Sequence, residues 1–237
     1  MKIEIWSDIA CPYCYIGKRK LETALDKFPY KDEVEMVWHS YELDAELPKE
    51  ALKISIYEYF AAKYRMSLDE SHQNMENVTR LAKEVGLNYD FDKLVVANTS
   101  DALRLVKLAN EQGLATEAEE ELFDAYFVKG KDISDKDTLI ELGSQIGLDR
   151  QAIVNLLVSD KYQNEIKSDV AYSENVLNLE YIPFYIFNDK HMVEGSISVE
   201  DYLKILNTSY NEWKNGIQNV ESDLISGRSC SIDGVCD

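Results

Sequence analysis

Residues 3–18 read Ile3-Glu4-Ile5-Trp6-Ser7-Asp8-Ile9-Ala10-Cys11-Pro12-Tyr13-Cys14-Tyr15-Ile16-Gly17-Lys18. Residues 3–7 form a short apolar run with the character of a β-strand. Two cysteines three positions apart follow at once, and then a helical pattern. Ile16, Leu21, Ala24, Leu25 and Phe28 recur at helical spacing, with Lys18, Arg19, Lys20 and Glu22 mostly on the other side. Pro12 falls at the first helical position, where its fixed φ suits the helix and its missing N–H costs nothing. Residues 34–38 form a second apolar run. Strand, helix, strand opens an α/β unit.

The placement of Cys11 and Cys14 carries chemistry. A cysteine at a helix start faces unpaired backbone N–H groups and the positive end of the helix dipole, which favours a thiolate. Cys14 lies one turn on, on the same face, so the two sulfurs can close a small disulfide ring. In a redox reading, Cys11 attacks a partner disulfide and Cys14 resolves the mixed intermediate, with Pro12 and Tyr13 lining the site. Two other readings stand beside it. The pair can be half of a four-cysteine zinc site completed by Cys230 and Cys236, or two incidental core thiols. An apolar helix in place of a polar knuckle turn, and a gap of more than 200 residues, speak against zinc.

Working outward, residues 49–177 carry no convincing strand and a succession of helices. Ser67-Leu68-Asp69-Glu70 has capping-box form, with Gly86 after the helix it opens. Thr99 or Ser100 caps a run with Leu103 and Val106 at helical spacing, Ser134-Asp135 starts another helix, and Asp149 a further one. The β signal returns at residues 184–187, Phe-Tyr-Ile-Phe. Asn188-Asp189-Lys190 reads as a turn, 191–194 as the return strand, and Ser198 or Val199 as the start of a last amphipathic helix. The order βαβ, helical block, ββα is a thioredoxin-like plan with an all-helical domain inserted. Ile182-Pro183, at the entrance to a strand, is an ordinary edge proline or a cis-proline whose loop brings Ile182 beside Cys11 to pair with an extended substrate strand.

Composition removes several function classes. Of 237 residues, 25 are Lys or Arg and 44 Asp or Glu, for a net charge of −19. That balance repels phosphate backbones and anionic lipid, so no nucleic-acid or membrane partner is expected. No apolar run reaches the roughly 18 residues a spanning helix needs. The first residues place acids at 4 and 8, unlike an export signal, which implies the cytoplasm. In a reducing compartment four cysteines point to redox or metal chemistry rather than staples. His39, His72 and His191 are scattered and form no metal-ligand spacing, and His39 reads as a surface or loop residue. Glu4 and Asp8 flank the active-site strand and read as a solvated face, with proton handling for Cys14 as the alternative. The polar stretch 226–237, with Cys230 and Cys236, reads as a mobile tail.

Trp6 to Lys18 resembles the active-site start of the DsbA-like thioredoxin family, and most closely its FrnE-type cytosolic subgroup. The likeness continues in Tyr41-Glu42-Leu43, in Asn98-Thr99 with Ala102-Leu103-Arg104-Leu105, and in Leu122-Phe123-Asp124-Ala125-Tyr126-Phe127 with Gly130-Lys131-Asp132-Ile133. It ends with Ile182-Pro183-Phe184 and Gly195, and so covers roughly residues 1–210. The resemblance implies a thioredoxin fold split by a helical domain. Residues 1–47 and 178–222 would form the thioredoxin part, 48–177 the insert and 223–237 a flexible tail. It implies thiol–disulfide oxidoreductase or isomerase activity on protein or small-molecule disulfides, with no cofactor beyond the protein's own thiols. Cys11 takes the nucleophile's place, Cys14 the resolving thiol's and Pro183 the cis-proline's. Additional C-terminal cysteines in FrnE-like proteins suggest Cys230 and Cys236 as a second redox pair that exchanges with the first. This chain departs from the family at Tyr13, where Trp is frequent, at Leu103, where His is usual, and at 178–181, where glycine is common. Tyr13 brings neither a cation nor a strong donor and predicts a couple less oxidising than that of relatives with His there. The competing activity is a glutathione-dependent isomerase or transferase of the 2-hydroxychromene-2-carboxylate isomerase or kappa-class type. Those relatives usually carry Ser at the Cys11 position.

Overall fold

The computed structural model describes residues 1–216 and 224–231. β1 (Lys2–Ser7) runs into α1 (Pro12–Asp26), and β2 (Glu35–Ser40) returns parallel to β1 with Ile3 opposite Met36 and Ser7 opposite Ser40. The chain then leaves the sheet for α2 (Ile56–Tyr64), α3 (Leu68–Glu84), α4 (Ser100–Asn110), α5 (Ala115–Phe123), α6 (Lys136–Gln145), α7 (Arg150–Leu157) and α8 (Gln163–Tyr172). It comes back through β3 (Tyr181–Ile182), β4 (Phe184–Phe187) and β5 (His191–Glu194), then α9 (Val199–Asn215). β4 is antiparallel to β1 and β5 to β4. Asn188 and Asp189, both at positive φ, make the tight turn between β4 and β5, as the sequence predicts.

Local chemistry explains the helix ends. Ser67 accepts from the Glu70 N–H while the Glu70 carboxylate receives the Ser67 N–H. Ser55 and Glu58 build the same box on α2, and Ser198 caps α9. Asp135, rather than Ser134, caps α6, and Asp149 caps α7. The last turns of α5 and α8 widen into π-helical turns at Asp124–Val128 and Ser173–Leu177.

The insert is fastened to the sheet by buried polar contacts. Trp38 Nε1 donates to Thr116 Oγ1 at 3.0 Å. Asp169, on α8, accepts from the Ser40 N–H at 2.8 Å, pairs with Lys107 and meets His39 Nδ1 at 3.2 Å. Arg104, on α4, is buried and donates to the carbonyls of Leu156, Ser159 and Lys161 where α7 ends. A fixed cation there satisfies orphan carbonyls and suits the negative end of the helix.

The C-terminal stretch differs from expectation. Read as a mobile tail, residues 224–231 instead join the fold. β6 (Leu224–Ser226) lies parallel to β5, giving the sheet order β2-β1-β4-β5-β6, and β7 (Cys230–Ser231) pairs antiparallel with β3. Backbone hydrogen bonds do the work: Gly227 N to Glu194 O at 2.6 Å, and Ser196 N to Arg228 O at 2.5 Å. These strands lie at the edge and show little side-chain alternation, so their pairing leaves little trace in the pattern of residues.

Candidate redox site

The site is built where β1 hands over to α1. Residues 8–10 make a turn in which the Cys11 N–H donates to Asp8 O at 2.9 Å. Cys11 is the N-cap of α1 in extended conformation and offers no side-chain cap, and Pro12 follows at the first helical position. The Asp8 carboxylate holds the turn by accepting from the Ala10 N–H at 3.2 Å and from the Leu43 N–H, across the chain, at 2.6 Å. Tyr89 from the insert donates to Pro12 O at 2.8 Å, so both parts of the molecule grip the cysteine loop.

Cys11 and Cys14 are both free thiols. The Ile182–Pro183 peptide is cis, and Cys11 Sγ lies 3.8 Å from Ile182 O. Gly17, two residues into the second turn of α1, lets the helix approach the cis-proline loop. A Cβ there would press on Tyr185 Oη and come within 3.2 Å of Pro183 Cγ. The structure thus brings Cys11, Pro12, Tyr13, Cys14, Ile182 and Pro183 together. Burial and the Cys11 sulfur beside it hold the Cys14 pKa well above the ordinary thiol range, against the Asp8 backbone N–H and the Ser7 hydroxyl, which favour the thiolate.

Three expectations need correction. Cys11, read as accessible, is 0% exposed. β7 lies close by: Cys230 stands in register with Ile182, the residue whose carbonyl faces Cys11. Asp8, read as solvated, is also 0% exposed, and burial pushes its pKa up to about 6. His39 is not a free surface histidine, for it stacks on Trp6 and lies between Glu4 and Asp169.

Cys230 is buried and disulfide-bonded, which takes it out of any four-thiolate zinc centre. Cys236 lies outside the described residues. Among the described residues no group of three or more His, Cys, Asp or Glu is arranged to hold a metal.

Two features escaped the sequence. A cavity of about 260 Å³ opens beside the cysteine loop, with Pro12, Tyr13, Phe60, Tyr64, Tyr126 and Cys230 among its lining residues. Glu119, on α5, is fully buried near the base of the site. Burial pushes it up to about 8 and Asp8 adds to the rise, while Lys18, Lys107 and Ser7 oppose it. In sequence it sits in the acidic stretch 117–121, where nothing local sets it apart from its neighbours.

With this geometry, the comparison with known proteins is decisive at the level of family. The profile described as DSBA-like thioredoxin domain matches residues 2–207. The chain belongs to the DSBA-like thioredoxin family. A crystal structure of a probable DsbA oxidoreductase from Streptomyces coelicolor is 30% identical. It covers all of this chain and 98% of its own, with a TM-score of 0.83. Two more distant structures share the fold. A 2-hydroxychromene-2-carboxylate isomerase is 13% identical, covering 93% of this chain and 100% of its own at a TM-score of 0.64. The cytosolic disulfide reductase DsbM from Pseudomonas aeruginosa is 15% identical, covering 89% and 99% at 0.63. This DSBA-like chain therefore has the thioredoxin fold that its motifs imply. Among the described residues no helix is long and apolar enough to cross a membrane.

Proposed function

We propose that this DSBA-like protein is a cytoplasmic thiol–disulfide oxidoreductase of FrnE type, working through Cys11 and Cys14 on protein or small-molecule disulfides. One observation carries the reading: two free thiols sit at the first turn of a helix, with the nucleophile's sulfur 3.8 Å from the carbonyl before a cis-proline. In the reductive direction, Cys11 thiolate attacks one sulfur of the substrate disulfide. The Cys11–substrate bond forms and the other sulfur leaves with the electron pair. Cys14 then gives up its proton and attacks Cys11 Sγ. The Cys11–Cys14 disulfide forms as the second substrate thiolate departs. Ile182 and Pro183 supply the backbone edge that aligns an extended substrate.

Cys230 and Cys236 form the second redox pair of this reading. Cys230 is already in a disulfide and stands opposite Ile182, so exchange with Cys11 needs no long migration. The cavity beside Pro12 and Tyr13 favours a second reading, a glutathione-dependent isomerase on the same scaffold. Cysteine at position 11, where that class usually has serine, argues for the redox activity.

Insulin-disulfide reduction by the wild type and by Cys11→Ser tests the proposal. Loss of turnover in Cys11→Ser, and a mixed disulfide trapped on Cys11 in Cys14→Ser, are the expected results. Undiminished turnover without Cys11 refutes it. The relay is tested in the same Cys14→Ser sample: mass spectrometry should find a crosslink from Cys11 to the C-terminal cysteines, and its absence removes the relay.

A further inference from the structure

The strand edge at Ile182 is already taken. An edge strand presents unpaired N–H and C=O groups and accepts any extended segment of suitable register. Here β7 fills the position, with Tyr181 opposite Ser231 and Ile182 opposite Cys230. The Ile182 carbonyl is the one that faces Cys11 Sγ. The same stretch puts Arg228 and Cys230 into the wall of the cavity shared with Pro12 and Tyr13. Cys11 has no exposed surface, and Cys230 is 1% exposed.

The docking of this segment is tailored rather than incidental. Gly195 and Gly227 meet back to back: a Cβ at Gly195 would stand 2.5 Å from Gly227 O, and one at Gly227 would stand 2.7 Å from the Ser196 backbone. Ser196 and Arg228 exchange backbone hydrogen bonds, Ser196 N to Arg228 O at 2.5 Å and Arg228 N to Ser196 O at 3.3 Å. The backbones approach this closely at Gly195 and Gly227 because neither residue carries a Cβ. Main-chain hydrogen bonds join the segment to the body, which is how a peptide added to a sheet edge is held, and the Ser229 and Cys230 side chains are buried as it docks.

We propose that β7 is an intramolecular occupant of the strand-docking edge at the active site, and that Cys11 becomes reactive toward macromolecules only when β7 lifts. The gate stands on the pairing and on the burial of Cys11. That its traffic consists of protein disulfides rests on the function proposed above. A protein substrate competes with β7 for the same backbone groups of Ile182. The segment is short and lies at the rim of the sheet, so its opening belongs to the low-cost local fluctuations of a native protein rather than to global unfolding. Labelling of a thiol beneath such a segment reports the population of the open state.

Two substitutions within the C-terminal segment unseat it and leave the residues of the cysteine loop unchanged. Gly227→Ala drives a Cβ into the Ser196 backbone. Arg228→Pro removes the N–H that donates to Ser196 O. The parent is the wild-type chain, which keeps Cys230 opposite Ile182, and the peptide that holds Cys11 is told apart by its mass from the one that holds Cys230. After reduction with a phosphine, iodoacetamide labelling of Cys11 is followed by mass spectrometry, alongside circular dichroism and thermal melting of each variant. The expected result is a rise of about tenfold or more in the Cys11 labelling rate in both variants, with the melting transition of the body retained. Equal rates in the parent and both variants overturn the proposal. A rise that accompanies a lost melting transition also overturns it, since exposure then comes from unfolding. Insulin reduction by the same proteins separates the two claims. Faster labelling with no insulin reduction in any of them leaves the gate in place and refutes the disulfide activity.

Discussion

Replacing Glu119 by Gln should change how stability depends on pH. Glu119 is buried on α5, and the groups facing it are Asp8 and Ser7 at the end of β1, Lys18 on α1 and Lys107 on α4. Burial dominates and raises its pKa to about 8, so the folded protein holds the carboxyl neutral at pH 7. In the unfolded chain the same group ionises near the ordinary glutamate value of about 4.3. The unfolded state therefore loses its proton first. From pH 4.3 upward the folded state binds more protons, and stability falls with rising pH until the folded value is passed. One pH unit within that window is worth about 1.4 kcal/mol, so the full slope from pH 5 to pH 8 gives a ceiling of about 4 kcal/mol. Gln keeps the size and neutrality and cannot ionise. Urea unfolding of wild type and Glu119→Gln at pH 5, 6, 7 and 8 measures the difference directly. The variant should gain on the wild type steadily toward pH 8, by up to about 4 kcal/mol relative to pH 5. Asp8, raised to about 6 by burial, adds a slope of the same sign to both proteins at lower pH. Parallel stability curves for the two proteins between pH 5 and 8 would refute the assignment of a buried neutral Glu119.

Other perturbations follow from the same contacts. Gly17→Ala should push α1 away from Pro183 and Tyr185, costing about 1–3 kcal/mol in urea unfolding and lowering insulin reduction, whereas an equally placed alanine on the exposed face of α1 should do neither. Asp169 is held below the ordinary carboxylate range: burial raises it, and His39, Lys107 and the Ser40 N–H outweigh that rise. Its contribution is present above about pH 4 and is lost as pH falls through the lowered folded value. Asp169→Asn should leave Lys107 without its carboxylate, cost about 3 kcal/mol at pH 7 and flatten the acid limb of the stability curve below pH 4.

Much of this architecture is written in local signals. The boxes at Ser67–Glu70 and the caps at Asp149 and Ser198 are short-range, so they survive reading without coordinates. The same holds for the turn at Asn188-Asp189, whose residue types tolerate positive φ. The Cys-Pro-Tyr-Cys loop is legible because helix-start chemistry and spacing act within four residues. What escaped is set by distant partners. Asp8 reads as solvent-facing because nothing near it announces that the Leu43 N–H, 35 residues on, will accept its burial. Glu119 hides among Glu117, Glu120 and Glu121, of which the half-buried Glu120 pairs with buried Lys18 and half-buried Arg19. β6 is placed by main-chain pairing to β5 with its side chains exposed, and β7 by pairing to β3 with Cys230 buried opposite Ile182, a partner too distant in sequence to mark the local pattern.

The depth of the two thiols orders the proposed chemistry. Cys14 is enclosed, and both its burial and the nearby Cys11 sulfur disfavour its thiolate. A proton that stays on Cys14 leaves one sulfur of the pair to act as nucleophile on an incoming disulfide. Once Cys11 is engaged in a mixed disulfide it can carry no negative charge. The Coulombic part of the Cys14 shift goes with it, while the Asp8 N–H and Ser7 hydroxyl that favour the thiolate remain. Resolution is thereby held back until the substrate is attached. The same enclosure that delays Cys14 requires an entrance for the substrate, and the edge at Ile182 is where the fold offers one. A segment of the chain that occupies this edge therefore acts on the first step alone: it decides when Cys11 is met, and leaves the order of the two sulfurs to their own electrostatics.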